Sequence, residues 1–96
     1  MTEDKIPEFK LDYNSVDNVQ DSLSFHNRII EFVTLNKTGE IDSEILCYFT
    51  DDEGFKMEAE LPIRAYKQAL YKSLEFFAEE ENYEKCKIVK ELIEII

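Results

Sequence analysis

The run FKMEAEL alternates strictly, with Phe55, Met57, Ala59 and Leu61 on one side and Lys56, Glu58 and Glu60 on the other. That is the two-residue period of a strand with one buried face. SEILCYFT precedes it across DDEG, a turn that Gly54 can close, so the two runs predict a β-hairpin. After Leu61 the period changes to 3.6. Pro62 takes a favoured first-turn position, and Ile63, Tyr66, Leu70, Leu74 and Phe77 follow at spacings of three and four, predicting a helix. It closes in AEEEN, where Asn82 can cap a second helix whose apolar row is Tyr83, Cys86, Val89, Ile93 and Ile96. Two helices joined this tightly pack antiparallel.

Earlier in the chain, RIIEFVTLN is rich in β-branched and aromatic residues and is followed by KTGE, with Gly39 to supply a positive φ. This predicts a strand over 28–36. A helix continued from Ser15 competes with it, because SVDNVQDSLSFHN sets Val16, Val19 and Leu23 at helical spacings after Asn14, a usable N-cap. Residues 1–14 read as an extended arm: Pro7 biases Ile6 away from helix, and Phe9, Leu11 and Tyr13 can pin the arm to the core. The expected architecture is a single α+β domain over 1–96. It combines the arm, a small antiparallel β-meander over 28–61, and a C-terminal antiparallel helical hairpin over 62–96 packed on one sheet face.

The last helix carries a further apolar row, Ile88, Leu92 and Ile95, beside the first. One neighbouring helix covers a stripe about 100° wide. The surplus row is therefore expected to meet another surface, the sheet or a second chain; the hypothesis is a second chain, with Tyr83, Val89 and Ile93 facing the first helix of the hairpin.

Composition narrows the function class. The formal net charge is −11 in 96 residues, which argues against direct binding to nucleic acid or to an anionic membrane. The acid is unevenly placed: residues 1–60 hold 15 Asp and Glu against 5 Lys and Arg, whereas residues 61–96 hold 7 against 6. This excess either keeps a small protein soluble or imitates a phosphate track. In the second case the chain would occupy the basic groove of a nucleic-acid-binding enzyme, as small acidic phage inhibitors do, with Asp51, Asp52 and Glu53 of the hairpin turn in the contact. The start, MTEDKIPEFKLDYNS, has no apolar leader core, and no apolar run approaches the ~20 residues that cross a bilayer. Cys47 and Cys86 each fall in an apolar-periodic stretch, as buried reduced thiols do, so a cytoplasmic location is expected.

Candidate chemistry is sparse. His26 is the only histidine, and neither cysteine sits on the small-residue elbow that a Cys-His nucleophile uses. TDDEG lacks the alternating ligands and the distal Glu of a calcium loop, and no Cys/His group has zinc spacing. Glu79, Glu80 and Glu81 fall at a helix joint, where carboxylates are solvated. No enzyme activity, metal or cofactor is expected.

The segment YKSLEFFAEEENYEKCKIVKELI, 71–93, resembles the UVR motif, a helical hairpin named for its place in bacterial nucleotide-excision repair proteins and found in several unrelated adaptor proteins. The motif's second helix has the form Phe-Glu-Lys-Ala-Ala-x-Leu-Arg-Asp-x-Ile. Here that run reads Tyr83, Glu84, Lys85, Cys86, Lys87, Ile88, Val89, Lys90, Glu91, Leu92, Ile93, with Lys87 in place of the second small residue and Lys90-Glu91 in place of Arg-Asp. The resemblance implies docking between proteins through paired hairpins, with Phe77, Tyr83, Cys86, Val89 and Ile93 in the contact. The expected function is a small acidic protein-binding module, an adaptor, regulator or inhibitor of another protein. The alternative is a structural subunit of an assembly such as a phage particle, homo-oligomeric through the surplus apolar face.

Overall fold

The computed structural model describes residues 5–11 and 22–96. The start of the helix expected from Ser15 and the anchoring role of Tyr13 lie outside the described residues.

The first of the described helices, α1, is Leu23–Thr38. It overturns the strand expected over 28–36 and takes the competing reading. His26, Ile29, Ile30 and Val33 are buried at spacings of three, one and three, a helical stripe, and this period outweighs the β-branched composition that suggested a strand. Both ends are signalled. Ser22 caps the start, its Oγ accepting from the Phe25 N–H at 3.2 Å. Gly39, expected in a hairpin turn, is instead the left-handed residue that ends the helix (φ 81°), with the Glu40 N–H bonded back to the Leu35 carbonyl at 3.0 Å. Asn36 then ties the helix to the chain beyond it: its Oδ1 accepts from the Ser43 N–H at 3.1 Å, just before the next strand.

The hairpin of β2 (Ile45–Thr50) and β3 (Lys56–Glu60) forms as the alternation predicts. The third strand comes from the arm. β1, Glu8–Lys10, pairs in parallel with β2, giving the sheet order β1-β2-β3. The sheet is thus mixed, and the expected antiparallel meander is corrected on this point. Because β1 and β2 run the same way, α1 serves as their crossover. Within β2 the register shifts between Ile45 and Cys47, leaving Leu46 as an extra residue, and both Leu46 and Cys47 point into the core.

A single 3₁₀ turn, Ile63–Ala65, leads into α2, Tyr66–Glu79, and α3 is Tyr83–Ile95. Their joint is a Schellman closure: the Asn82 N–H reaches the Phe77 carbonyl at 2.8 Å and the Glu81 N–H reaches that of Ala78 at 3.1 Å. Glu81 sits at φ 57° where glycine is usual, and Asn82 caps α3 by accepting from the Lys85 N–H at 3.3 Å. The α+β class and the closing helical hairpin stand as expected. One apolar cluster joins α1, the inner sheet face and both hairpin helices, with Phe32, Val33, Cys47, Leu70, Phe77 and Val89 fully enclosed. Among the described residues, no helix is long and apolar enough to cross a membrane.

Candidate docking groove

The expected partner-binding residues separate into two groups. Phe77, Cys86 and Leu92 are buried in the chain's own core and offer no surface to a partner. Leu92 is therefore not part of an external row: it turns inward with Cys86 and Val89 and is 8 % exposed, whereas Ile88 and Ile95 are 39 % and 60 % exposed. The double stripe misled because residues at spacings of three and four fan across more than one face, and the inner sector of α3 takes Leu92. Tyr83, expected against α2, is 71 % exposed because it opens the helix at its solvent end. Asp51 has a local task in the hairpin turn. Its Oδ1 accepts from the N–H groups of Glu53 and Phe55, both at 2.9 Å, which fixes the turn.

A concave surface lies elsewhere, between β3 and α2. It is an open groove of about 660 Å³. Its floor is made by Phe25, His26 and Ile29 from α1 and by Leu46 and Phe49 from β2; Ala59 and Leu61 form one wall and Ala65, Ala69 and Phe76 the other. Three of its lining residues, Ala59 from β3, Ala65 just before α2 and Ala69 within it, end at Cβ and leave room that longer side chains would take. Sequence reasoning missed it. The available signal was these small residues, at an inward position of the strand and at a four-residue spacing entering the helix.

His26 organises the floor. Its ring stacks on Phe76 with centroids 4.4 Å apart and planes at 19°, and meets Phe25 and Phe77 edge-on. Nδ1 lies 2.8 Å from the Ser73 hydroxyl. With both partners buried, this bond ties α1 to α2 beneath the groove. Cys47 is buried nearby in the core, and burial pushes its thiol up to about 11 despite the opposing effect of Arg28. It is protonated at neutral pH, and a protonated thiol is a poor nucleophile. Among the described residues, no group of three or more His, Cys, Asp or Glu is placed to hold a metal ion.

The rim is acidic. Glu60, Glu75 and Glu79 stand around the opening with Lys72 as the cation among them, all exposed. No protein-family model, curated protein or solved structure matches this chain.

The backbone of β3 completes the geometry. In an antiparallel pair, the N–H and C=O of one residue point the same way and alternate along the strand. The Phe55 carbonyl accepts from the Asp51 N–H at 3.0 Å, and the Leu61 N–H donates to the Glu44 carbonyl at 2.7 Å, so the odd-numbered residues address β2. The peptide groups of Lys56, Glu58 and Glu60 therefore point away from β2. Among the described residues β3 has no partner on that side.

Proposed function

We propose that the protein is a non-catalytic binding module that acts in the cytoplasm as an acidic adaptor, regulator or inhibitor of another protein. The observation that carries this reading is the open groove with an apolar floor and carboxylate rim between β3 and α2. Such a surface combines desolvated contact area with charges that orient a partner, the arrangement by which protein interfaces gain affinity and selectivity. The net charge of −11 directs the choice of partner toward a basic protein surface.

The test is affinity capture from native lysate with three baits: the wild-type chain, Ala69→Trp to fill the groove, and Glu60→Lys/Glu75→Lys/Glu79→Lys to reverse its rim. Circular dichroism and melting temperature identify the variants that remain folded. The reading predicts a protein retained in stoichiometric amount by the wild type and lost with both folded variants. Equal retention by all three baits would remove the groove from the function.

A further inference from the structure

Resting on that reading, we infer that the occupant is an extended segment of a partner protein that adds a strand to the outer edge of β3. Its side chains alternate between basic on the outer face and apolar in the groove.

Three observations converge on this occupant. The edge supplies backbone donors and acceptors at Lys56, Glu58 and Glu60 that point away from β2, where β3 has no sheet partner among the described residues. A strand laid there exchanges main-chain hydrogen bonds with them, as in recognition by strand addition. The groove lies directly beside that edge on the helix side, walled by Ala59 and Leu61 of the strand segment and by Ala65, Ala69 and Phe76. Alternate side chains of an added strand would enter it.

Charge selects the remaining side chains. Residues paired across β2 and β3 share a face, so Glu58 shares the outer face with Tyr48, its partner in the register. Lys56, the cation on this strand, is already engaged: its Nζ sits 4.3 Å from the Tyr48 ring centroid and 3.7 Å from the Glu8 carboxylate. Glu58 and Glu60, both on that outer face, make no ion pair among the described residues. An incoming strand with Lys or Arg at alternate positions answers these charges. A second copy of the chain is a poorer occupant, because antiparallel pairing centred on Glu58 sets Glu58 against its own copy and brings together two molecules of charge −11.

The probe is a short peptide that alternates lysine with valine around one central phenylalanine. One control replaces its lysines by glutamate, and another arranges lysine and leucine at helical period. With ¹⁵N-labelled protein, the alternating basic peptide should slow hydrogen exchange at the Glu58 and Glu60 amides by about tenfold or more and shift the resonances of Ala65, Ala69 and Phe76. Neither control should do so. Methylating the peptide amides on one edge should abolish the protection without altering the protein. Glu58→Pro should act likewise, since proline is tolerated on a strand edge that faces away from its neighbour.

Groove shifts with unchanged exchange at Glu58 and Glu60 would overturn strand addition while leaving the groove as a protein-binding site. Tighter binding of the helical control, or of none of the peptides, would also overturn it. So would protection of both amides in the protein alone together with a dimeric sedimentation coefficient, which would assign the edge to a second copy.

Discussion

The carbonyl of Leu46 accepts a hydrogen bond of 2.6 Å from Nε of Arg28. Leu46 is the extra residue at the register shift in β2, so a buried arginine on α1 serves the strand at the point where its ladder is irregular. The same guanidinium bonds Glu31 through Nη1 at 2.7 Å and lies over the Phe32 ring, 5.3 Å from its centroid. This contact attaches the crossover helix to the sheet.

Replacing Arg28 by Met should keep the packed stem but leave the Leu46 carbonyl without this donor, costing roughly 1–3 kcal/mol. The exposed Glu31 carboxylate adds little to that loss. Urea unfolding of the two proteins measures it; a difference near zero would mean that the irregularity in β2 does not depend on Arg28.

Glu81 occupies the left-handed position of the Schellman closure, a conformation that costs a non-glycine residue about 1 kcal/mol or somewhat more. Glu81→Gly should therefore raise stability by up to about 1 kcal/mol, offset in part by the freer unfolded chain. Asn82→Ala, which removes the cap of α3, should lower it by about 1 kcal/mol. Thermal melts of both variants report the two signs independently.

Val89→Glu and Leu92→Glu should each unfold the chain, because both place a charge in the core. Ile88→Glu and Ile95→Glu, on the exposed flank of α3, should stay within about 0.5 kcal/mol of the parent. Circular dichroism of the four proteins decides this, and a folded Leu92→Glu variant would restore Leu92 to an external row.

Alkaline pH should weaken the fold. The Cys47 thiol ionises near 9 when unfolded and only at about 11 when folded, so its contribution is complete below pH 9 and is lost between pH 9 and 11. The slope is roughly 1.4 kcal/mol per pH unit within that window. Tyr66, raised by burial and by Glu44 and Asp42, pushes in the same direction at higher pH. Denaturant midpoints at several pH values should fall across the window, and Cys47→Ala should flatten the fall even though its cavity lowers stability throughout.

Periodicity carried most of the architecture. β3 and the two closing helices were readable because each shows a single period over its whole length, and β2 because its apolar run leads into a turn; the segments end on residues suited to ending them, Gly54, Pro62 and Asn82. Residues 28–36 misled because β-branched residues fill both a strand and the buried stripe of a helix, and because Gly39 closes a hairpin or a helix equally well. β1 was hidden by its length: three residues give no measurable alternation, and its pairing is decided by β2, far along the chain. The groove was hidden for another reason. A concavity arises where side chains from separate elements fall short of one another, and no local pattern reports that Ala59, Ala65 and Ala69 line one groove. The surface rows of α3 failed at Leu92, where only the placement of the neighbouring elements distinguishes an inner residue from an outer one.

The parallel ladder of β1 has a kinetic meaning. It joins position 8 to position 48, while the β2–β3 turn and the α2–α3 joint close over a few residues each. Long-range closure is entropically expensive and is favoured only after its docking site exists, so the hairpins and the helix pair should assemble first and β1 last. In reverse, β1 is the segment the chain can release while the rest holds. Native-state hydrogen exchange should find the Tyr48 and Leu11 amides, bonded to Pro7 and Thr50, opening at lower free energy than those in the middle of α2. The order of elements in the sheet is thus also an order of events: the strand nearest the start of the chain joins last and leaves first.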